Sequence, residues 1–374
     1  MPRLSELYQL NNYIDTFALG HYARVLDAVD LRQGSSVAFK VMRPEHLDEN
    51  GDMQWEYRAF GNEADILTRL WHSPNVVKLI DCGFISDREE APRAGEITSF
   101  QSDVRGFIDN LGRFAAAGWR PYLALENLPR YHSLFYLMKP NKPDKRWRLP
   151  SEEGISLALQ FSELLVLAHS NKIVYLDHKL EHVYWDGIHL KVIDFNSSRI
   201  LEDDRMQSPQ QYMKDVHNMC VGVLYTIFTG MSPQKTSLRP QPSSRDAVEA
   251  RYTDIDSLDF SMEPSLSEGI TELLNRGAGE QIESAREFLN GSQRAAAELG
   301  WQFPDYYTSS ASGDARAQMR KGLQKLREGH ENIRDARDLF RDALIQDGIS
   351  REMEEELRRL VVALNEMLNH RVVP

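Results

Sequence analysis

Hydrophobic residues near the start of the chain fall into short runs that turn residues separate, a pattern typical of β-strands. The runs at 17–26 and 36–42 predict two strands, and the turn residues at 32–35 predict a hairpin between them. From Trp55 to Leu70 apolar residues recur every three or four positions, which predicts an amphipathic helix.

Two further strand-like runs, at 76–82 and 122–125, enclose a segment longer than a hairpin needs. We interpret this segment, 86–120, as an insertion, and the spacing at 104–117 predicts a helix within it. The first third of the chain is therefore predicted to be a sheet with one main helix.

After Pro129 the pattern becomes helical. Residues 154–169 carry enough leucine and isoleucine for a buried helix, and residues 213–229 are apolar on nearly every side, which is typical of a central core helix. Short strands at 183–185 and 190–193 flank an Asp-Gly turn between these helices. The prediction is a helical body with a small strand insert.

The end of the chain forms a separate helical segment in this interpretation. Proline- and serine-rich stretches lie at 232–244 and 303–313, and the second predicts a domain boundary. The last helix, 351–368, has an apolar stripe that we expect to pack on the rest of the molecule, with binding of a partner or a second copy as the alternative. The stripe consists of Met353, Leu357, Leu360, Leu364 and Met367.

Composition narrows the function classes. The chain has 374 residues, 41% of them apolar, and a formal net charge of −12. This negative charge disfavours a general role in binding nucleic acid or a membrane surface, but it does not exclude binding by a local basic patch. Cys82 and Cys220 are too few for a disulfide framework or a zinc site. Because neither a signal-peptide stretch nor an 18-residue apolar run is found, we expect a soluble, cytoplasmic protein.

One lysine in the predicted sheet requires a partner. Lys40 ends the apolar strand segment V-A-F-K at 37–40. Because burial of an unpaired ammonium group is costly, a lysine that points inward from such a strand needs a carboxylate. Glu63, on the helix that follows, is the natural partner; a solvated edge lysine is the alternative. The hairpin before this strand reads A-L-G-H-Y-A-R-V at 18–25.

The most informative stretch is Y-L-D-H-K-L-E-H at 175–182, which I-D-F-N follows at 193–196. Phosphoryl transfer from a nucleotide needs a lysine on the phosphates, carboxylates for magnesium and an acid group near the acceptor. Asp177, Lys179 and Asp194 offer these groups. An isolated Asp-x-Lys is common by chance, whereas one followed by two short strands and Asp-Phe is not.

In this order the segments resemble those of the protein-kinase-like (eukaryotic-type Ser/Thr kinase) superfamily. They are similar to its glycine-rich loop, its V-A-I-K strand, its C-helix and hinge, and its H-R-D and D-F-G motifs. The resemblance implies an α+β, bilobal protein-kinase-like fold, in which the N-lobe is an antiparallel sheet plus the C-helix, the C-lobe is helical, and an all-α extension follows.

The same resemblance implies the domain limits. It places the N-lobe at 10–128 with an insertion at about 86–120, and the C-lobe at 129–290. The proline- and serine-rich stretch and the helical composition that follows it predict a linker at 291–313 and a helical segment at 314–374. Five residues of that segment resemble the second helix of a tetratricopeptide repeat, and 322–328 could supply the first helix. The five are Ala336, Phe340, Ala343, Leu344 and Gly348. A single unit of this kind would need neighbours for stability.

Catalytic roles follow from the resemblance. Lys40 would hold the ATP phosphates and pair with Glu63. Asp177 would accept the proton of the acceptor hydroxyl, and Lys179 would hold the phosphoryl group in transfer. Asp194 would bind Mg²⁺, with His182 as a second metal-binding candidate.

The resemblance also implies an adenine site. Its upper wall would be the loop with Gly20 and Ala23, and the main chain of Glu126 and Leu128 would hydrogen-bond the base, with Leu125 as the gatekeeper. The ring would lie between Val25, Ala38 and Tyr184; an ordinary buried strand is the alternative for the hinge.

The chain departs from the family in its metal-binding and regulatory parts. His182 replaces the metal-binding asparagine, which puts the second metal site in doubt because Mg²⁺ prefers oxygen; simple packing is the alternative. Asn196 replaces the D-F-G glycine, and Tyr175-Leu176 replaces His-Arg. Without that arginine, ordering by a phosphate on the activation segment loses its receptor. Only 20 residues separate Asp194 from Asp215, and no A-P-E motif is visible.

These features predict an ATP- and Mg²⁺-dependent phosphotransferase, a divergent Ser/Thr protein kinase that activation-loop phosphorylation does not regulate. A nucleotide-binding pseudokinase that acts as a scaffold, or a small-molecule kinase, is the alternative. We expect ATP and a protein substrate or partner, which the C-terminal helices could engage, and no nucleic acid or membrane. Asp215 is expected to brace the catalytic loop. The phosphoacceptor stays open.

Overall fold

The computed structural model of the protein describes residues 2–14, 22–48, 52–139, 147–201, 208–233, 248, 250–301, 303, 329, 332–341, 343–344 and 351–369.

The N-terminal part is a six-stranded antiparallel sheet with the order β1-β2-β3-β6-β4-β5. The strands are β1 Tyr8–Tyr13, β2 Ala23–Asp30, β3 Ser35–Met42, β4 Leu79–Ile85, β5 Ile97–Ser99 and β6 Arg120–Glu126. Val25 lies opposite Lys40, and Lys40 opposite Leu123. Because directly opposed side chains share a face, these residues all point to the side that the main helix covers.

The first strand corrects a prediction. A strand was expected at 17–26, but β1 lies earlier and β2 begins at Ala23; residues 15–21 lie outside the described part of the chain. A strand lies this near the start of the chain because Tyr8 packs on the outer face of the sheet. The Tyr8 ring is 5.0 Å from the ring of Phe39. The sequence of β1, Y-Q-L-N-N-Y, is rich in polar residues, so the pattern of hydrophobic positions does not predict this strand.

Helix α2, Trp55–Arg69, follows the short helix α1 at Leu4–Leu7 and matches the predicted helix. Phe60, Ala64 and Leu67 are buried on its inner side. Glu63 lies on the same side and is fully buried, which is tolerated only because a cation meets it.

The insertion at 86–120 adds β5 to the sheet and two short helices, α3 Val104–Asp109 and α4 Leu111–Ala116. One helix was predicted there. Asn110 ends the first and begins the second, and its side chain donates to the carbonyl of Gly106 at 2.9 Å, which competes with helix continuation.

A strand was also predicted at 76–82, whereas β4 begins at Leu79. Val76 forms a bridge with Val192 and the Val77 amide donates to the Val192 carbonyl, so these residues pair with the second lobe instead.

The C-lobe is helical, with the short hairpin β8 Val183–Trp185 and β9 Leu190–Val192 beside the cleft and the pair β7 Ile173–Val174 and β10 Arg199–Ile200. The short helix α5 spans Leu134–Leu137, and the buried helix α6 spans Ser151–Ser170. The predicted central helix is α7 Ser208–Met219, a π-helical turn at Cys220–Leu224, and α8 Tyr225–Thr229. Single π-turns are frequent at functional sites.

Gly222, in the π-turn, lets two other segments approach the central helix. A Cβ atom there would lie 2.5 Å from the carbonyl oxygen of His178 and 2.7 Å from the ring of Tyr252. Both distances are shorter than van der Waals contact, so a larger residue would push the loop at 175–182 outward.

We expect Gly222→Ala to destabilise the fold by about 2 kcal/mol, because overpacking against backbone outweighs the gain in helix propensity of about 1 kcal/mol. Urea unfolding measures the difference. Gly112→Ala in α4 is the matched control: no atom lies within 4 Å of its Cβ position, so it should be neutral or stabilising. Equal unfolding free energies for the two variants would contradict this account.

Helix α9 spans Glu268–Ala278 and helix α10 spans Ala285–Glu298, with Leu289, Ala295 and Ala296 buried. Helical structure therefore continues past residue 290, where the C-lobe was expected to end, because these apolar positions face the core.

Farther on, residues 332–341 are helical and α11 spans Arg351–Asn369. The expected stripe is partly wrong: Met367 is 55% exposed, whereas its neighbour Leu368 is fully buried. The repeat-like first helix at 322–328 lies outside the described residues, and the tetratricopeptide interpretation stays a prediction. Within the described ranges, no helix is long and apolar enough to cross a membrane.

Candidate active site

Lys40, Glu63 and Asp194 meet between the lobes. The Lys40 ammonium lies 2.7 Å from the Glu63 carboxylate and 2.7 Å from Oδ1 of Asp194. Lys40 and Glu63 are buried, and a quarter of the Asp194 side chain is exposed. One strand, one helix and one loop thus converge on a single ammonium group.

The charges of this triad stabilise one another. Burial alone would lower the pKa of Lys40, but the carboxylates of Asp194 and Glu63 outweigh it and raise the pKa. Burial opposes the charged form of Asp194 too, yet Lys40 and His182 hold its pKa well below the usual range. Burial raises the pKa of Glu63 in spite of its lysine partner. Lys40 is therefore a cation and Asp194 an anion, as phosphate and metal binding require.

The backbone at Asp194 takes a left-handed conformation, with φ of 64°. Asn196, at the position of the D-F-G glycine, does not have a positive φ; its side-chain amide contacts the Asp194 carboxylate instead. Asn62 of helix α2 donates to the Ser198 carbonyl at 2.9 Å, and Phe195 is buried against Tyr175. In addition to the ion pair of Asp194 with Lys40, neutral contacts fix the segment to both lobes.

Asp215 braces the loop at 175–182, as predicted. Its carboxylate accepts hydrogen bonds from the amides of Tyr175 and Leu176, both at 2.9 Å, and lies 3.0 Å from Nε2 of His169. Leu176 has φ of 68°, a conformation that costs energy for a non-glycine residue. The two hydrogen bonds to Asp215 hold this loop in place.

Asp177 lies in a cluster of nitrogen groups. Its Oδ2 is 3.3 Å from the Lys179 ammonium and 3.5 Å from Nδ1 of His182, and its Oδ1 is 2.6 Å from the Arg251 guanidinium. Burial alone would raise the pKa of Asp177, but these three partners outweigh it and lower the pKa. Asp177 is therefore ionised, as an acceptor of a proton or hydrogen bond must be.

Arg251 is a residue of the described site that sequence reasoning missed. It follows a proline- and serine-rich stretch and belongs to no motif or periodic pattern. A basic residue beside an aromatic one at 251–252 is a weak signal, and nothing local indicates which carboxylate it would meet.

Asp177, His182 and Asp194 could hold a metal ion, because each offers one ligand atom and these atoms lie within 4.8 Å of one another. Nδ1 of His182 is 3.2 Å from the carbonyl oxygen of Asp177, whereas Nε2 is 3.0 Å from Oδ2 of Asp194. Nε2 is therefore the nitrogen on the side of the Asp194 carboxylate. Carboxylates suit Mg²⁺, and the imidazole makes the same site suitable for Mn²⁺.

Part of the expected adenine site can be located. Leu125 is buried, while Ala38 and Leu128 are partly buried against the same core. The Glu126 amide donates to the Lys78 carbonyl at 2.9 Å, and its carboxylate pairs with Lys191 at 2.7 Å. The Glu126 amide is therefore engaged within the protein, and contact of its main chain with a base stays a prediction.

The other expected adenine residues lie as follows. Ala23 is buried in β2, and Val25, two positions on, is half-buried. Tyr184 is half-buried in β8, and burial raises its pKa to about 12. Gly20 lies outside the described residues. Adenine contacts of these side chains stay predictions.

Neither a family model nor a curated protein sequence matches the chain. Among solved structures it is similar to the PK-1 kinase of Cydia pomonella granulovirus, with a TM-score of 0.52 and 15% sequence identity. The match covers 77% of this chain and 94% of the viral chain. The fold is that of a protein kinase. It is α+β and bilobal, with the sheet and α2 in one lobe, a helical second lobe and a helical C-terminal extension.

Proposed function

We propose that the protein is an ATP- and Mg²⁺-dependent phosphotransferase, a divergent Ser/Thr protein kinase. The observation that carries the proposal is the assembled ion-pair triad of Lys40, Glu63 and Asp194. Catalysis in protein kinases requires both the lysine–glutamate pair and the metal-binding aspartate in place. The contacts of Lys40 with Glu63 and with Asp194, both at 2.7 Å, support this proposal.

Each charged group then has a task. The Lys40 ammonium would neutralise phosphate oxygens, and Glu63 keeps it aimed at them. Asp177 would orient the acceptor hydroxyl and take its proton as the phosphoryl group transfers, while Lys179 stabilises the transferring group. When bound, the metal neutralises charge on the phosphates, and Asp194 and His182 would hold it.

The site also supports activity without phosphorylation of the activation segment. Leu176 stands where an arginine receptor for phosphate would be, and Asp215 fixes the loop through uncharged amide donors. Asn62 holds the start of the segment through a carbonyl group. None of these contacts depends on an added phosphate.

The test incubates the purified protein with Mg-ATP and with acceptors of two kinds, Ser/Thr-containing protein substrates and small hydroxyl compounds. Phosphorylated product is measured, and the shift in melting temperature with Mg-ATP is measured in parallel. Transfer to protein hydroxyls supports the proposal. Stabilisation by Mg-ATP without transfer to any acceptor overturns it in favour of a pseudokinase, and transfer to small acceptors alone indicates a small-molecule kinase.

Metal preference gives a second prediction. With His182 facing the metal position, we expect turnover with Mn²⁺ to exceed that with Mg²⁺, because imidazole binds Mn²⁺ more readily than Mg²⁺. His182→Asn replaces the imidazole by an oxygen donor, so the Mn²⁺-to-Mg²⁺ ratio of turnover should fall several-fold. An unchanged ratio would show that His182 does not bind the metal.

A further inference from the structure

Arg251 lies after the central helix, on a segment that folds back against the catalytic loop. Its Nη1 is 2.6 Å from Oδ1 of Asp177, and only 10% of its side chain is exposed. A guanidinium buried to this extent needs an anion, and burial would lower its pKa if Asp177 did not raise it. The contact is thus between two buried charges that neutralise each other.

The residues next to Arg251 are held by the core. The Tyr252 hydroxyl donates to the His178 carbonyl at 2.9 Å, and the Tyr252 carbonyl lies 3.1 Å from Nε2 of His217 on α7. The Tyr252 ring packs on Gly222, where a Cβ would meet it at 2.7 Å. The backbone that carries Arg251 is therefore fixed to both the catalytic loop and the central helix.

A second anchor lies before Arg251. Val248 is buried in a small apolar cluster with Val174 and Leu176, the residues that lead into the catalytic loop. With anchors on both sides, the arginine cannot leave Asp177 by a simple movement of its segment. This favours a permanent partner of the carboxylate over a removable plug.

The two oxygens of Asp177 have different neighbours. Oδ1 faces Arg251, whereas Oδ2 faces Lys179 and His182, and the far side of the His182 ring faces Asp194. Oδ2 is therefore the oxygen on the side of the phosphates and metal. A carboxylate that is free to rotate would exchange these positions.

We propose that Arg251 is a positioning residue that fixes the carboxylate of Asp177 so that Oδ2 meets the acceptor hydroxyl. This inference rests on the proposed function and adds to it a residue from outside the recognised motifs. Arginine suits the role because its planar, permanently charged head binds a carboxylate in a defined orientation. The charge is always present, so the ordering needs no modification of the chain.

The experiment compares the wild type with Arg251→Ala and Arg251→Lys, measuring kcat and the KM for ATP. For Arg251→Ala we expect kcat to fall about 100-fold, the effect of a catalytic group misplaced by about 1 Å, with the KM for ATP nearly unchanged. Arg251→Lys should recover about tenfold, because an ammonium can reach the carboxylate but orients it less well.

Arg276→Ala is the control for loss of an ion pair, since Arg276 pairs with Glu287 at 2.7 Å between two C-lobe helices. Its kcat should match that of the wild type. The melting-temperature shift with Mg-ATP should be the same in all four proteins, because none of the changes touches the nucleotide side.

Three results would overturn the inference. If Arg251→Ala keeps the wild-type kcat, Arg251 does not position Asp177. If the alanine and lysine variants lose kcat and melting temperature alike, the arginine is merely structural. If the wild type binds Mg-ATP and transfers no phosphate, the proposed function fails, and Arg251 then has no role in catalysis. This result differs from the first two because the wild type itself is inactive.

Discussion

Asp177→Asn should lower phosphoryl transfer by about 10²- to 10⁴-fold, the usual effect of removing a positioned proton acceptor. The amide has the shape of the carboxylate, but it cannot take the hydroxyl proton. It also leaves Arg251 and Lys179 without their shared anion, so the acceptor side of the site gains positive charge. Initial rates at saturating Mg-ATP measure the effect.

Mg-ATP binding should persist in Asp177→Asn, because Lys40 and Asp194 stay paired at 2.7 Å. The melting-temperature shift with Mg-ATP checks this. Asp186→Asn is the matched control: Asp186 lies on the adjacent hairpin and caps its turn by accepting from the amides of Ile188 and His189. It should keep near-wild-type turnover. Equal rates for wild type and Asp177→Asn would contradict the assignment of Asp177 as the catalytic carboxylate.

Lys40→Met should reduce both activity and stability. Removing one partner of a buried ion pair leaves an uncompensated charge and costs about 3 kcal/mol or more. Glu63 is fully buried, so it has no access to water that could replace the ammonium. Loss of the phosphate contact should also abolish detectable turnover. Urea unfolding at neutral pH and the transfer assay measure the two effects.

The stability loss in Lys40→Met should depend on pH. Burial already raises the pKa of Glu63, and removal of Lys40 takes away the charge that opposes this. A carboxyl with a raised folded-state pKa stabilises the fold at low pH and loses that contribution as pH rises through the folded pKa. The variant should therefore be closer to the wild type near pH 5 than near pH 8.

Arg69→Met is the control for Lys40→Met, because Arg69 pairs with Asp65 on the exposed side of α2 at 3.0 Å. Loss of an exposed pair should cost less than about 1 kcal/mol. If Lys40→Met and Arg69→Met lose the same unfolding free energy at every pH, the buried triad contributes no special stability.

Sequence patterns located most of the elements that carry the site. The helix with Glu63, the hairpin 183–185 with 190–193 and the central helix all lie where periodicity placed them, within a few residues. The kinase-like fold that their order indicated is confirmed. These predictions worked because apolar spacing and turn residues act over a few positions, within one element.

Errors occurred where a contact between distant segments decided the local structure. Residues 76–77 pair with Val192 rather than extend β4, and β1 is held by burial of Tyr8 rather than by an apolar repeat. Asp81 shows the same effect: this fully buried carboxylate accepts from the hydroxyls of Tyr8 and Tyr122, which lie far away in the chain. Periodicity contains no information on such pairs.

The sequence by itself determined the lysine, the glutamate and the aspartates of the site and their order, because these residues occur in short segments with characteristic spacing; it did not indicate Arg251. Tertiary structure decided how they are paired. Asp194 rather than Asn196 takes the left-handed backbone conformation. Arg251 contacts Asp177 because the next residue, Tyr252, donates a hydrogen bond to the carbonyl of His178, 74 residues away in the chain. Such a contact depends on where whole helices pack, and therefore only the folded chain shows it.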